Sequence, residues 1–454
     1  MRYITDWHVH SKYSRACSKE LELPKIADWC ERKGINIVAT GDWTHPKWFQ
    51  HLEDHLEEVR EGIYRVKSHL SLRAQRSNLT DAKIAASSKT PPRNDTRETE
   101  FMLITEISQI YKKGDKTRRV HNLVWSPSLE TCRKVNEVLV SRGFNIKSDG
   151  RPILGIDSEE LYKMLRSIDE RIIVIPAHAW TPWYAIFGSK SGFNSIEECF
   201  GSMSKYIYAI ETGLSSDPQM NWQLSGLDKV VLISNSDAHS PKNLAREANV
   251  FEFDQPPTYS DFVRVLREQD QSTFKYTIEF YPEEGKYHFD GCAADLFCCS
   301  PEESMKLGER CPKCKKKLTL GVHHRVEELS NRKADVVADR KIPFKSIIPL
   351  AEILAEIYGV GSTSSKKVQA EYFQLTDQID ELTLLLDTPI ETITSIASEP
   401  ILGEAIRRMR TREVFKQPGY DGIYGKITVF GVSEKKRMKS GGAGPGSAWQ
   451  EKLI

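Results

Sequence analysis

Six short apolar runs between residues 2 and 236 each carry a metal-ligating side chain at or beside one end. This pattern restricts the fold more than any other feature. The run that starts at Arg2 finishes in Asp6-Trp7-His8-Val9-His10. Residues 35–41 lead to Asp42, 101–105 to Glu106, 171–177 to His178, and 230–236 to Asp237 and His239. His121 opens the run 121–125 and is the exception in position. Residues i and i+2 of a strand share a face, so His8 and His10 can reach one ion. Buried strands that repeatedly finish on His, Asp or Glu predict one rim of a barrel carrying a multinuclear metal site.

Between these runs the period changes. In 22–33, Leu23, Ile26, Ala27, Trp29 and Cys30 recur near 3.6 residues and Gly34 ends the segment, which predicts a helix. Segments 129–140 and 158–167 read the same way, and a further helix is expected to end near Val66. The alternation predicts an α/β domain of parallel strands and crossover helices over 1–255. Residues 68–97 are polar and aperiodic, which reads as a disordered insertion or as a basic loop that grips substrate. Asp254-Gln255-Pro256-Pro257-Thr258 marks a boundary. A cysteine-rich module follows over 274–342. A helical domain is expected over 343–430, with helices at 347–357, 374–386, 390–397 and 402–412, then a flexible tail over 431–454.

The chain has 454 residues, with 64 basic and 63 acidic side chains, so no global field points to nucleic acid. No apolar run is long enough to span a membrane and no signal peptide is seen, so a soluble, cytoplasmic chain is expected. Five of the nine cysteines (Cys292, Cys298, Cys299, Cys311 and Cys314) cluster, which reads as metal binding before disulfides. Cys311-x-x-Cys314 supplies one knuckle of a structural zinc site. Cys292-x-x-Asp295 has the spacing of a second but lacks a thiolate, for which Cys298 or Cys299 could substitute.

His8, His10, Asp42, His45, Glu106, His121, His178, Asp237 and His239 could hold two or three divalent ions. Mixed imidazole and carboxylate suits Zn²⁺, Mn²⁺ or Fe²⁺ better than Mg²⁺ alone. Glu106 or Asp237 could bridge two ions, and Asp237, His239 and Glu106 are the candidate catalytic residues. The chemistry this favours is metal-assisted phosphoester hydrolysis. Further along, the Gly359–Lys367 turn with Lys366 and Lys367 could approach a phosphate backbone. So could the loop of Gly419, Tyr420, Gly422, Tyr424, Gly425 and Lys426; a helix-ending turn is the plainer reading of such glycines. Tyr420, Tyr424, Trp43, Trp48 or Trp180 could stack on a displaced base or pack in the core.

The set Asp6-x-His8-x-His10, Gly41-Asp42, Thr105-Glu106, His121, Pro176-x-His178 and Ser236-Asp237-Ala238-His239 resembles the PHP (polymerase and histidinol phosphatase) family. That resemblance implies a distorted seven-stranded βα barrel with three metals, bound by His8, His10, Glu106, His121, His178, Asp237 and His239. The chain departs from the family in offering Ser14, Arg15, Ala16 and Cys17 where many members carry a histidine, and Asp42 where they often have another. Residues 41–46, the Cys311–Cys314 knuckle, Leu320 to Leu329 and Pro418 to Lys426 further resemble the endonuclease Q family. This implies incision of double-stranded DNA on the 5′ side of deaminated bases, and possible replication or repair proteins as partners. A small-molecule phosphatase of the histidinol-phosphate type, or a non-catalytic DNA-binding module, are the competing readings.

Overall fold

The computed structural model describes residues 1–67 and 98–439. The polar segment 68–97 and the glycine-rich stretch 441–447 lie outside the described residues. Eleven strands join in one mixed sheet: β1 (Arg2–Asp6), β2 (Ile37–Ala39), β3 (Leu56–Arg60), β4 (Ile63–Val66), β5 (Glu100–Lys113), β6 (Lys116–Ser126), β7 (Ile153–Leu154), β8 (Ile173–Pro176), β11 (Ala248–Glu252), β12 (Phe274–Glu279) and β15 (Phe344–Ser346). A separate parallel pair is β9 (Ala209–Glu211) and β10 (Val231–Ile233). The sheet branches at β5, whose long span pairs with β2 and β4 at one end and with β6 along its length. Between β8 and β9, the Ala179 N–H donates to the Glu211 carbonyl at 2.9 Å. Between β10 and β1, Val9 and Ala238 form a parallel bridge.

The sheet is not the parallel one expected. β1 pairs antiparallel with β11, and β6 antiparallel with β5 and β8. The cause is local: Gly114 takes φ +60° in a two-residue turn with Asp115 that folds β5 directly back into β6. Reversal of β6 explains His121. It lies at mid-strand, where its carbonyl accepts from the Ala177 N–H as β8 ends. Glu106 likewise sits inside β5 rather than at its end.

Helices Leu23–Lys33, Leu129–Ser141 and Ser158–Ile168 form where the period placed them. Gly34 caps the first at φ +88°. The helix expected to end near Val66 ends at His55, and β3 and β4 follow as a hairpin. β3 lies at the sheet edge, where its charged Glu57 and Glu58 are exposed. The expected helix 374–386 is two, Lys366–Thr376 and Glu381–Leu386. Asp380 caps the second by accepting from the Thr383 N–H.

Aromatic side chains fill the centre of the sheet's packing. Trp7 meets Trp125 edge-on at 4.5 Å and Phe251 at 5.3 Å. One continuous buried cluster extends from Tyr3 through Leu382, Leu402 and Ile406. The helices after residue 349 therefore share the core of the sheet. β12 and β15, assigned from sequence to the second and third units, are strands of that same sheet, so the boundaries at 274 and 343 fall within it. The cysteine-bearing hairpin β13 (Asp290–Cys292) and β14 (Phe297–Cys299) buries only Cys299, Cys311 and Leu318 in its own cluster. Such a core is too small to order a module alone. After Phe430, part of the expected tail is helical, Val432–Lys439.

Candidate metal centre

Sharp turns at the strand ends aim the side chains of the site. Asp42, His178 and Asp237 all adopt left-handed φ values, +45°, +29° and +47°. Such backbone is strained for residues with a Cβ and persists only where the surroundings enforce it. Gly213 helps enforce it, because a Cβ there would lie 2.6 Å from that of His178.

Three overlapping donor groups result: His8, His10 and Glu106; His10, Asp237 and His239; Glu106, His121 and His178. Within each group the donor atoms lie within 4.8 Å of one another. Glu106 and His10 each belong to two groups. Glu106 Oε1 is 2.6 Å from His121 Nδ1 and 3.1 Å from His178 Nε2, and its Oε2 is 3.4 Å from His10 Nε2. Asp237 Oδ1 is 3.1 Å from His10 Nε2 and 3.5 Å from His8 Nε2. His8 Nε2 is buried without a hydrogen-bond partner and faces both carboxylates. An orphaned imidazole nitrogen among carboxylates, with ligands of mixed hardness, fits divalent cations.

The electrostatics agree. Burial opposes protonation of His8, yet Glu211, Asp237 and Glu106 raise its pKa well above the ordinary imidazole value. His10 rises to about 9 against its burial, through Asp237 and Asp42. Burial opposes ionisation of Glu106, but His121, Arg151 and His8 hold it well below the carboxylate range. Burial brings His121 down to about 4, leaving its ring neutral and suited to ligation. These carboxylates demand positive charge, whether protons or metal.

Two residues expected as ligands stand behind the centre. Asp42 Oδ1 is 3.1 Å from His10 Nδ1, while its Oδ2 accepts from the Ser11 N–H, the Ser11 hydroxyl and the Ser14 hydroxyl. It orients His10 instead of joining a donor group. His45 stacks on Tyr13 at 4.5 Å at the start of helix Pro46–His55 and joins none. Glu211 was missed. It grips His8 Nδ1 at 3.0 Å and accepts from the His178 N–H at 2.7 Å. The run Ala209-Ile210-Glu211-Thr212-Gly213 carried the same signature as the others, but with only two apolar residues, Ala209 and Ile210, before the carboxylate. Arg151 was missed too and left no sequence signal. Its Nη1 donates to Glu106 Oε2 at 2.9 Å. The chain can approach there because Gly150 lacks a Cβ, which would lie 2.3 Å from Asp42 Oδ2.

The cysteine site also differs from expectation. Cys292, Asp295, Cys311 and Cys314 converge. Asp295 Oδ2 is 3.3 Å from Cys292 Sγ and 3.1 Å from Cys311 Sγ, and the Cys292 and Cys314 sulfurs are 3.9 Å apart. Cys298 and Cys299 lie on β14 paired with β13 and are not in the group. The carboxylate occupies the place sought for a fourth thiolate.

The expected DNA-contacting residues are dispersed. Lys366 and Lys367 open helix Lys366–Thr376, and Lys367 covers Tyr358 at 3.9 Å. Gly419 and Gly425 approach protein backbone, not solvent: a Cβ at Gly425 would lie 2.0 Å from the Glu283 carbonyl. The Gly419 N–H donates to Glu283, that of Gly422 to Lys286 and that of Gly425 to Glu284. Tyr420 packs over Gly291 and is half-buried. Tyr424 is 70% exposed and Lys426 is also exposed. Trp43, Trp48 and Trp180 are buried and unavailable for stacking. Exposed aromatic surface comes from Trp183 instead, edge-on to Tyr287 at 5.7 Å, with Lys286 over both Tyr287 and Tyr424. Among the described residues no helix is long and apolar enough to cross a membrane.

Residues 349–413 match the family model described as the MJ0043 C-terminal domain. The uncharacterized protein MJ0043 of Methanocaldococcus jannaschii is 31% identical over 255 residues, which is 55% of this chain but only 31% of that protein's length. YqxK of Bacillus subtilis, also uncharacterized, is 26% identical over 420 residues, covering 90% of this chain and 93% of YqxK. The crystal structure of the lesion-specific endonuclease PfuEndoQ from Pyrococcus furiosus superposes with a TM-score of 0.77 at 28% identity, over 97% of this chain and 99% of that one. A crystal structure of endonuclease Q with a 27-mer duplex bearing an abasic lesion at its active site gives 0.76 at 30% identity, over 94% and 96%.

Proposed function

The chain belongs to the endonuclease Q family, and from that premise we propose that it is a metal-dependent repair endonuclease. It hydrolyses the DNA phosphodiester on the 5′ side of a damaged nucleotide, either a deaminated base (uracil, hypoxanthine or xanthine) or an abasic site. The observation that carries this reading is the sharing of Glu106 and His10 among three donor groups. Glu106 and His10, each common to two donor groups, would hold neighbouring divalent ions, the arrangement suited to phosphoester hydrolysis. Bound there, two or three Zn²⁺, Mn²⁺ or Mg²⁺ ions would supply Lewis acidity and an activated water.

The chain's own residues prepare that chemistry. Glu211 and Asp42 fix the rings of His8 and His10 through their Nδ1 atoms. Arg151, at Glu106, is suited to hold a non-bridging phosphate oxygen. The contacts linking β8 to β9 and β10 to β1 support a distorted seven-stranded barrel of the PHP type, built from β1, β2, β5, β6, β8, β9 and β10. Cys292, Asp295, Cys311 and Cys314 suit a structural Zn²⁺. A damaged base must leave the stack to be read, and Trp183, Tyr287 and Tyr424 offer aromatic surface on which it could stack.

The test is incision of a 5′-labelled duplex carrying one deoxyuridine or one abasic site, with Mg²⁺, Mn²⁺ or Zn²⁺, beside Asp237→Ala. A single metal-dependent cut immediately 5′ of the lesion is expected, absent in the variant and on undamaged duplex. No cut with any metal, but phosphate release from a small phosphomonoester, would replace this reading with the histidinol-phosphatase type.

A further inference from the structure

The segment Leu320 to Leu329 stands out in the sequence, yet none of its side chains enters either metal group. Its helix, Val322–Leu329, lies between the two centres in the hydrogen-bonded structure. On one side it is fixed to the cysteine hairpin. Asp290, which opens β13 two residues before Cys292, is wholly buried. Its carboxylate accepts from the Gly321 N–H at 2.7 Å and lies 2.7 Å from His324 Nδ1.

On the other side Arg325 reaches the loop that follows His178. Its Nε donates to the Phe187 carbonyl at 3.2 Å, and its Nη2 to the Phe193 carbonyl at 3.2 Å and to Asn194 Oδ1 at 2.6 Å. Its Nη1 donates to Glu328 Oε2 at 2.7 Å. The residue is 9% exposed. A buried cation is costly unless its donors are met, and here three of the guanidinium's four hydrogen bonds go to one loop, two to backbone carbonyls and one to the Asn194 side chain.

That loop is attached to the metal centre. The Phe187 N–H donates to the Ala179 carbonyl at 2.9 Å, directly after His178. The Tyr184 carbonyl accepts from the His121 N–H at 3.0 Å, and the Tyr184 ring lies 4.7 Å from the His121 ring. Thr181 Oγ1 is 3.2 Å from His178 Nδ1. The path from Cys292 through Asp290, His324, Arg325 and Phe187 to the His121–His178 edge is thus contiguous.

We infer that Arg325 is a positioning residue through which the cysteine module sets the conformation of loop 179–194, and with it the His121–His178 edge of the metal centre. The effect on catalysis rests on the nuclease reading; the effect on the loop does not. Coupling between Arg325 and the cysteine module is the quantity a double-variant cycle measures.

Hydrogen–deuterium exchange of the loop is followed in the full chain for wild type, Arg325→Met, Cys311→Ser and the double variant. Arg325→Lys serves as the conservative change, and thermal melting reports global folding. At least tenfold faster exchange over 179–194 is expected in each single variant, and no further acceleration in the double. Arg325→Lys should restore part of the protection. With zinc-loaded enzyme on lesion duplex, Arg325→Met should lower kcat while leaving KM within about twofold. Wild-type exchange in Arg325→Met, or acceleration in the double variant equal to the product of the singles, would overturn the inference. If Arg325→Met lowers the melting temperature too far for comparison, the Arg325→Lys and Cys311→Ser pair is read by the same criterion. If wild type cuts no duplex, the nuclease reading fails while the exchange result still decides the coupling.

Discussion

Arg151 brings a permanent cation to within 2.9 Å of the carboxylate shared by two donor groups. Its side chain is still 24% exposed, so it is open to solvent while paired with the fully buried Glu106. Glu106 raises its pKa further, so it is charged at any working pH. A guanidinium so placed favours a phosphate whose charge is being redistributed. Arg151→Met is expected to lower single-turnover incision about 100-fold, the scale for loss of one oriented donor, while bound metal measured by mass spectrometry stays unchanged. Loss of metal in step with activity would make Arg151 a structural partner of Glu106 alone. Asp295 is the second residue that the structure brings into a donor group, beside Cys292, Cys311 and Cys314. Asp295→Ala should weaken zinc in the cysteine module at least tenfold in competition with a chromophoric chelator, on the order of one ligand's worth. Asp295→Cys should retain it, and Co²⁺ substituted there should gain thiolate charge-transfer intensity. The side chains His8, His10, Glu106, His121, His178, Asp237 and His239, which the structure gathers into donor groups, were legible because each stands in or beside an apolar run. Arg151 was not, since it owes its place to the missing Cβ of Gly150, a fact of three-dimensional approach.

The strands show which local signals survive folding. Helix Leu23–Lys33 could be read because period and Gly34 agree. β6 could not be read in full, because Lys116, Arg118 and Arg119 hide the first half of a strand whose second half is buried. Strand direction was equally hidden: the Gly114-Asp115 turn decides it, and an apolar run has the same pattern in either direction. β12 carries a further consequence. Its Glu279 is fully buried and accepts from the Thr277 and Thr212 hydroxyls at 2.6 and 3.0 Å. Burial pushes it up to about 8, and the adjacent Glu247 is raised as well, by burial and then by Glu279. A carboxyl whose folded pKa exceeds its unfolded value near ~4.3 holds its proton more tightly when folded. Its stabilisation is complete below the unfolded value and is lost as pH rises through about 8. The melting temperature should therefore fall between pH 5 and pH 8.5, and Glu279→Gln should flatten much of that fall. A residual slope of the same sign is expected from Glu284, raised to about 8 chiefly by burial. A melting curve insensitive to pH in both proteins would show that these carboxyls ionise equally in the folded and unfolded chain.

At the scale of the whole molecule, the natural experiment is to ask whether the half after Phe274 holds DNA. Truncation there cannot answer it. β12 pairs with β11 on one side and β15 on the other, and the helices beyond Leu350 share the buried cluster of β1. A chain cut at 274 exposes β11 and opens the core, so loss of activity would report unfolding. The sequence suggested a severable unit because the cysteine cluster and the change of style near Phe274 are real. What it did not reveal is that strands on either side of the cysteine hairpin return to one sheet. Charge removal on the intact chain is the better probe. Lys286 is exposed and covers Tyr287 and Tyr424, and Lys426 is exposed on strand Lys426–Thr428. Removing one lysine–phosphate ion pair should reduce the slope of log affinity against log salt by ~0.9. The Lys286→Ala, Lys426→Ala double variant is therefore expected to bind lesion duplex more weakly, with a slope about 1.8 smaller if both lysines meet phosphates. Fluorescence anisotropy from 50 to 300 mM KCl would measure it. A smaller slope with weaker binding puts the duplex across the Lys286–Tyr424 face. Uniformly weaker binding at an unchanged slope would mean that these side chains act through stacking and shape. An unchanged isotherm would move the duplex away from this face, toward Lys366, Lys367 and the helices of 349–413.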